Sequence, residues 1–230
     1  MSRKNGKDYL YLIWKHPDTR RQYVVGVLSK NGAFEFEYSH EIDSAIKEGF
    51  NQITAFEDVK KKYTSEKLFP VFASRLPDRK RRGISEILKK YNLDEYDEYL
   101  LLKRSGARLP IDTFEFVDPI FEDEQTVSRD FFVAGVRHYL PCSDDKCNFE
   151  NISINLNDKL VLKLEPDNEK DSNAVEIFNS EDVKLGYIPR YYSKQVTKMI
   201  KENKEVTCKV IEFNSDSNCR ECIKVNLTIN

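Results

Sequence analysis

The sequence has no long apolar run. No stretch of its 230 residues reaches eighteen uncharged apolar positions, and the opening Met-Ser-Arg-Lys-Asn-Gly-Lys carries no apolar segment ahead of a cleavage site. These absences argue against a membrane-spanning helix and a secretory leader. Hydrophobic residues make up 40% of the chain, which is enough for the cores of one large domain or two ordinary ones. We therefore expect a cytoplasmic protein.

Cysteine is scarce and odd in number, with five in the chain, so a secreted disulfide framework is excluded. Cys142 and Cys147 are separated by four residues, and Cys219 and Cys222 form a Cys-x2-Cys pair in a polar turn. Four thiolates at these spacings would complete one structural zinc site. The alternative is that the cysteines are small core residues, which is what the apolar strand pattern around Cys208 predicts.

The residue patterns of known catalytic sites are also missing. The chain has three histidines and no His-x-x-x-His pair, and no serine lies in a nucleophile elbow. There is no Gly-rich phosphate loop, no kinase catalytic loop and no carboxylate cluster suited to two metal ions. The sequence therefore predicts a non-catalytic protein.

The chain has no excess of positive charge. Its 37 basic and 39 acidic residues give a net charge of −2, which argues against coating long nucleic acids by bulk electrostatics. The one dense basic run comprises Arg79, Lys80, Arg81 and Arg82. This run is suited to phosphate contacts with a bound strand. The alternative is a solvated loop whose charge is balanced by nearby acidic residues.

Alternating apolar residues and turn signals predict a mainly β chain of the α+β class. The predicted strands cover residues 9–13, 23–28, 34–38, 99–102, 113–117, 205–212 and 221–229. The predicted helices cover residues 41–48, 54–63, 84–91 and 193–202. Lys30-Asn31-Gly32 is a hairpin signal. The acidic segment 118–127 is predicted to link a domain of residues 1–120 to one of residues 128–230.

The second of these domains contains three strand-like runs that each end in a polar cluster. Residues 131–139 read Phe-Phe-Val-Ala-Gly-Val-Arg-His-Tyr, residues 164–175 read Leu-Glu-Pro-Asp-Asn-Glu-Lys-Asp-Ser-Asn-Ala-Val, and residues 185–190 read Leu-Gly-Tyr-Ile-Pro-Arg. Apolar runs of this kind build a small barrel, and the polar clusters at their ends are expected to meet on one rim as a binding pocket.

The order and spacing of these motifs resemble the HIRAN domain, a small β-barrel module found on fork-remodelling helicases and as free-standing bacterial proteins. The resemblance covers residues 128–230. It implies a barrel that holds the 3′ end of single-stranded DNA, with terminal bases stacked on an aromatic ring and an acid that captures the free 3′-hydroxyl. The residues that it implies for nucleic-acid contact are Arg137, His138, Tyr139, Asn168, Lys170, Asp171, Tyr187 and Arg190.

The resemblance assigns roles to several of these residues. Arg137 and Arg190 would pair with phosphate, and Asp171 would accept from the terminal hydroxyl while also forming the turn that it lies in. This chain has His138 and Lys170 where the best-known members have tyrosine. His138 can still stack on a base, and the nearby aromatic candidates to replace the second tyrosine are Tyr139, Tyr187 and Tyr191.

The first half has a resemblance of its own. Gly26-Val-Leu-Ser, Phe34-Glu-Phe-Glu-Tyr38 and the run from Leu68 to Pro77 resemble the N-terminal subdomain of HipA-type Ser/Thr kinase toxins over residues 8–118. Because no kinase core follows, the resemblance implies a docking or regulatory subdomain. The expected architecture is a HipA-like β-meander with several helices, followed by a HIRAN-like barrel. The alternative function is that of a protein-interaction regulator, such as a partner of a HipA-like kinase in a bacterial toxin–antitoxin or phage-defence system.

Overall fold

The computed structural model describes residues 8–140, 142, 143, 146, 147, 152–214 and 221–230. The chain divides into two compact units, one of residues up to 119 and one of residues from 120 onward. Strands outnumber helices in both units, so the predicted mainly β class is confirmed.

The N-terminal unit is built on a five-stranded antiparallel sheet in the order β4-β3-β2-β1-β5. Its strands are β1 (Tyr9–Lys15), β2 (Gln22–Asn31), β3 (Ala33–Tyr38), β4 (Tyr63–Ser65) and β5 (Phe114–Val117). Its helices are α1 (Ile42–Lys47), α2 (Pro70–Ala73), α3 (Ile84–Lys90) and α4 (Glu98–Ser105), with a 3-10 turn at Thr54–Phe56. The predicted hairpin is confirmed, since Asn31 pairs with Ala33 around Gly32.

Aromatic side chains fill the core of this unit. The ring of Phe56 lies 4.3 Å from that of Phe36 and 5.4 Å from that of Phe72, between ring centroids. Phe116 on β5 meets Phe72 edge-on at 5.0 Å. Because such tilted and edge-to-face pairs add attraction to the apolar area they bury, this cluster joins the sheet to α2 and the 3-10 turn.

The C-terminal unit is a six-stranded antiparallel sheet, curled into a half-barrel, in the order β11-β10-β9-β12-β13-β6. The strands are β6 (Val127–Phe132), β9 (Lys159–Glu165), β10 (Ala174–Phe178), β11 (Lys184–Tyr187), β12 (Val206–Phe213) and β13 (Ile223–Ile229), and β7 (Cys142–Ser143) pairs separately with β8 (Lys146–Cys147). One helix, α5 (Arg190–Lys201), follows β11.

Helix α5 is amphipathic and buries one face. Tyr192, Val196 and Met199 lie three to four residues apart, and each is almost completely buried. That spacing places them on one stripe of the helix. The sequence predicted a helix at residues 193–202, and the structure has it three residues earlier at its start. Cys208 on β12 is buried, so its predicted place in the core is confirmed.

The prediction of a strand at 99–102 was wrong, because these residues lie in α4. The side chain of Asp97 caps the helix by accepting from the N–H of Leu100 at 2.9 Å. Gly106 ends it with a φ of +70°, in the left-handed region. These terminal signals outweigh the short apolar run that favours a strand.

The predicted helix at 54–63 was also wrong beyond its first turn, the 3-10 turn at Thr54–Phe56. Asp58 ends it, since its carboxylate accepts from the N–H of Lys60 at 2.9 Å in an Asx-type turn. Tyr63 then pairs with Phe36 as part of β4. The boundary between the two units lies inside the predicted linker, but Ile120 and Phe121 in that linker are buried.

Candidate nucleic-acid interface

The first polar cluster of the C-terminal unit lies just after β6. Gly135 has a φ of +78° and starts a 3-10 turn, Val136–His138, in which Val136 is buried. Arg137, His138 and Tyr139 are therefore displayed at the surface, and Nε of Arg137 lies 3.4 Å from Nε2 of His138. The turn thus exposes one cation and two aromatic rings, and the buried side chain of Val136 holds it in place.

The second cluster, on β11, is bound to the first through the main chain. The N–H of Ala134 donates to the carbonyl of Tyr187 at 2.9 Å, and the N–H of Tyr187 donates back to the carbonyl of Ala134 at 2.9 Å. Gly186 permits this approach, because a Cβ there would lie 2.3 Å from the oxygen of Ala134 and 2.8 Å from Cγ1 of Val133. The bridge joins the segment after one edge strand, β6, to the opposite edge strand, β11.

Side chains reinforce this bridge. The rings of Tyr139 and Tyr187 meet edge-on at 5.8 Å, and their hydroxyl oxygens are 3.2 Å apart. The ammonium group of Lys184 lies 4.3 Å from the ring centroid of Tyr139 and 4.2 Å from that of Tyr187. Lys184 also donates to Glu176 at 2.6 Å and to the Tyr187 hydroxyl at 2.7 Å. Two rings and two polar groups thus surround one cation.

The electrostatics of this cluster follow from its hydrogen bonds. Partial burial by itself lowers the pKa of Lys184, but the Glu176 carboxylate and the Tyr187 hydroxyl outweigh it, and the pKa lies above its ordinary value. Burial raises the pKa of Tyr187 to about 12. A hydrogen bond from Asn168 lowers the pKa of Glu165, to which the Tyr187 hydroxyl also donates at 2.9 Å. At neutral pH Lys184 is therefore a cation and Glu165 an anion.

The third cluster is the loop between β9 and β10, and Glu165 connects it to Tyr187. Asn168 donates to Glu165 at 2.7 Å through its side-chain nitrogen, while its side-chain oxygen accepts from the N–H groups of Lys170 and Asp171 at 3.0 and 3.1 Å. Asn168 therefore shapes the loop from inside. The side chain of Lys170 is exposed.

Asp171 closes this loop and ties it to α5. One carboxylate oxygen accepts from the N–H of Asn173 at 2.9 Å, and the other accepts from the hydroxyl of Ser193 at 2.6 Å. The carbonyl of Asn173 in turn accepts from the hydroxyl of Thr197 at 2.9 Å. Two contacts from the buried face of the helix thus fix the acidic turn, close to the first residue of α5, Arg190, whose side chain is exposed.

The structure therefore brings the three predicted motifs together on one continuous hydrogen-bond network, running from Tyr139 through Tyr187, Glu165 and Asn168 to Asp171. The ring of Tyr191 lies edge-on to that of Tyr192 at 4.6 Å. Sequence reasoning missed four members of the cluster, which are Glu165, Glu176, Lys184 and Ser193. Each is a single polar residue in a strand or a first helical turn, and only the strand register and the helix position show what it contacts.

The basic run lies in the N-terminal unit. Arg79, Lys80, Arg81 and Arg82 are all exposed, and the guanidinium of Arg79 lies 5.9 Å from the ring centroid of Tyr96. The N–H of Lys80 donates to Asp78 at 2.6 Å, so the run begins in a local turn. These contacts fit either a solvated loop or a phosphate-binding one.

The predicted zinc ligands fall largely outside the described side chains. Cys142 and Cys147 are register partners in the β7–β8 ladder, Cys222 is buried, and Cys219 lies outside the described residues. Within the part of the chain that the structure describes, no group of three or more His, Cys, Asp or Glu side chains is arranged to hold a metal ion. Over the same residues, no helix combines the length and apolar character needed to cross a bilayer.

Comparison with known proteins supports both resemblances. Residues 127–230 match the family model of the HIRAN domain, and residues 20–110 match that of the HipA N-terminal domain. Among solved structures, the HIRAN domain of human HLTF is 18% identical with a TM-score of 0.35, over 45% of this chain and 78% of that one. A structural-genomics protein from Lactobacillus plantarum is also 18% identical, with a TM-score of 0.34, over 45% of this chain and 96% of that one. No curated protein matches the chain.

The family models identify the class of each half. The chain contains a HIRAN domain, and a HipA N-terminal domain precedes it. A HIRAN domain indicates DNA binding, and such domains are generally non-catalytic.

Proposed function

We propose that the HIRAN domain of this protein captures the 3′ end of single-stranded DNA and performs no chemistry on it. The supporting observation is the fixed carboxylate of Asp171, at the end of a network that also contains the exposed ring of Tyr139. The family match supports DNA as the ligand class. A single strand end offers a hydroxyl, a base and a few phosphates, and the three clusters together offer a partner for each.

Asp171 is suited to recognise a terminal hydroxyl. Its two oxygens each accept one hydrogen bond, from Asn173 and from Ser193, and each keeps a lone pair for a further donor. A strand-end hydroxyl can donate to either oxygen. A 3′-phosphate has no such donor when ionised and would place negative charge beside the carboxylate, so the site should discriminate between the two ends.

The remaining contacts are few. The exposed guanidinium groups of Arg137 and Arg190 are suited to phosphate, and the exposed rings of His138 and Tyr139 are suited to a splayed base. Since the whole chain has a net charge of −2, binding should depend on these placed groups rather than on a broad positive surface.

The test compares one oligonucleotide ending in a 3′-hydroxyl with the same strand ending in a 3′-phosphate. Losing a hydrogen bond to a charged group costs about 1.5–3 kcal/mol, so we expect a preference of about ten- to a hundredfold for the hydroxyl. Asp171→Ala should weaken binding of the hydroxyl-ended strand and nearly abolish the preference. Asp171→Asn should raise relative binding of the phosphate-ended strand by removing the negative charge.

Arg190→Ala is the matched control, because it should weaken both ends alike. The melting temperature of each variant shows whether the loop still folds, since Asp171→Ala also removes the acceptor of Ser193. Equal affinity of the wild type for the two ends, with Asp171→Ala indistinguishable from it, would refute end recognition.

A second candidate function concerns the N-terminal unit, and the HipA N-terminal domain match favours it. This unit would dock on a protein, such as the catalytic core of a HipA-type kinase in a toxin–antitoxin or phage-defence system. Titration of the full chain with a HipA-type kinase lacking its own N-terminal domain tests the idea. Saturable binding supports it, and no binding at micromolar concentrations contradicts it.

A further inference from the structure

The role of Lys184 is assigned neither by the sequence motifs nor by the family matches. Its side chain is 20% exposed, and that of its partner Glu176 is 17% exposed. The ammonium group sits against two aromatic rings at once, 4.3 Å from the centroid of Tyr139 and 4.2 Å from that of Tyr187. A lysine side chain without such contacts would extend away from the sheet into solvent. These contacts hold the ammonium group of Lys184 against the two tyrosine rings instead.

The two tyrosines are held in different ways. The hydroxyl of Tyr187 has three polar neighbours, Lys184, Glu165 and Tyr139, at 2.7, 2.9 and 3.2 Å. Its main chain is held in the bridge to Ala134, so Tyr187 is fixed at both ends. A ring fixed in this way supports its neighbours, and it is poorly placed to turn toward a ligand.

Tyr139 keeps surface available for a ligand. It is 39% exposed, and its described contacts are with the Lys184 ammonium and with Tyr187. Gly135, beside the ring, has no side chain to cover it. The ring therefore contacts the cation and Tyr187 and leaves 39% of the residue exposed.

We propose that Lys184 is a positioning residue, which holds the Tyr139 ring in the orientation that a terminal base can stack on, with Tyr187 as the support behind both. This inference rests on the proposed function, which already gives the Tyr139 ring to a base, and adds the residue that fixes that ring. It also assigns Tyr187 a supporting role rather than contact with nucleic acid.

The physical reason is preorganisation. An exposed tyrosine has two freely rotating torsions, and a base that stacks on it must first pay to immobilise the ring. Lys184 removes part of that cost in the free protein, since its charge is attracted to the ring face and its position is fixed by Glu176 and Tyr187. The ion pair with Glu176 keeps the cation in place without leaving an uncompensated charge.

The experiment uses the full chain and two strands that both end in a 3′-hydroxyl, one with a normal terminal nucleotide and one abasic at that position. Stacking of a base on an aromatic side chain is worth about 1–3 kcal/mol, so the wild type should bind the normal strand about 5- to 100-fold more tightly. Lys184→Met, which keeps the length but removes the charge, should reduce that ratio to threefold or less. Lys184→Arg should retain most of it.

Two variants guard against simple misfolding. Glu176→Gln combined with Lys184→Met removes both charges, so no buried carboxylate is left unpaired. Lys163→Met is the matched control, because Lys163 also makes an ion pair, with Asp182 at 2.5 Å, and lies over a ring, that of Phe178 at 4.1 Å, without contacting the site tyrosines. The control should leave the base-to-abasic ratio unchanged.

The outcomes separate the inference from the function on which it rests. The preference for hydroxyl over phosphate ends should survive in Lys184→Met, because Asp171 is untouched. A wild type without that preference would contradict the proposed function itself. A wild type with the preference but with no loss on the abasic strand, or a Lys184→Met variant that keeps the full base-to-abasic ratio, would overturn the role given to Tyr139 and Lys184.

Discussion

The close approach of Gly186 to Ala134 predicts a large and local effect of one methyl group. In Gly186→Ala the added Cβ would lie 2.3 Å from a main-chain oxygen, at a φ of +147° that side chains rarely adopt. A left-handed or similar backbone costs about 1–2 kcal/mol for a non-glycine residue, and overpacking against atoms that cannot move costs about 1–3 kcal/mol more. We therefore expect a loss of about 2–5 kcal/mol in the free energy of unfolding of the C-terminal unit.

Gly135→Ala is the matched control, because Gly135 also has a positive φ, +78°, but its added Cβ would meet nothing closer than 3.8 Å. Gly135→Ala should lower the free energy of unfolding only by the cost of the left-handed backbone, about 1–2 kcal/mol. The measurement is urea unfolding followed by far-UV circular dichroism. Trp14, the one tryptophan of the chain, lies in the N-terminal unit, so its fluorescence should report an unchanged transition in both variants.

With a slope of about 2 kcal/mol per molar urea, the extra strain in Gly186→Ala should lower the midpoint by roughly 0.5–1.5 M relative to Gly135→Ala. Gly186→Ala should also lose oligonucleotide binding, since the bridge that carries Tyr187 must open. Equal midpoints for the two variants would refute the reasoning, because the clash with Ala134 would then have no energetic consequence.

Two further predictions concern charge. Arg75 is 7% exposed and makes a two-pronged ion pair with Asp112, so Arg75→Met should destabilise the N-terminal unit by about 3 kcal/mol in urea unfolding. Burial alone would raise the pKa of Asp112, but the hydrogen bonds from Arg75 outweigh it, and the pKa is lowered. The stabilisation by this ion pair is therefore present above about pH 4 and is lost as the pH falls further. The pH profile of unfolding of Arg75→Met should lack this loss. For DNA binding, two or three phosphate contacts to a single strand predict a slope of log affinity against log salt of about −1.5 to −2, and a slope near −5 would contradict a pocket that holds only a strand end.

Much of the fold followed from local patterns. Strict alternation in β3 and the stripe on α5 are each repeated over several residues, and such repeats survive the influence of tertiary contacts. The hairpin signal at Lys30-Asn31-Gly32 is local in another way, because the turn depends on the residues of the turn itself. The apolar run at 99–102 has no such period. The helix at these residues depends on Asp97 and Gly106, which cap its two ends. The capping residues therefore indicate a helix here, and the periodicity of the apolar residues does not.

The site was predictable only in part, for a related reason. Motif order indicated which segments carry Arg137, Asp171 and Arg190, because motifs are contiguous in sequence. The cluster around Lys184 depends instead on strand register, in which Glu176 pairs with Tyr187, and a one-residue shift would send these side chains to opposite faces. Register between distant strands is set by the whole sheet and leaves little trace in any one segment.

The place of β6 in the sheet also sets the order in which the protein can assemble. β6 begins at Val127 and has one neighbour in the sheet, β13, which ends at Ile229. During synthesis the segment that bears Arg137 must therefore wait for about a hundred further residues before its strand can pair. Closing so long a loop is slow, and high contact order of this kind delays folding. The acidic turn and α5 are synthesised before β13, but the strand that leads to Arg137 can pair only after β13 has been made, so the three clusters can come together only at the end of synthesis of this unit.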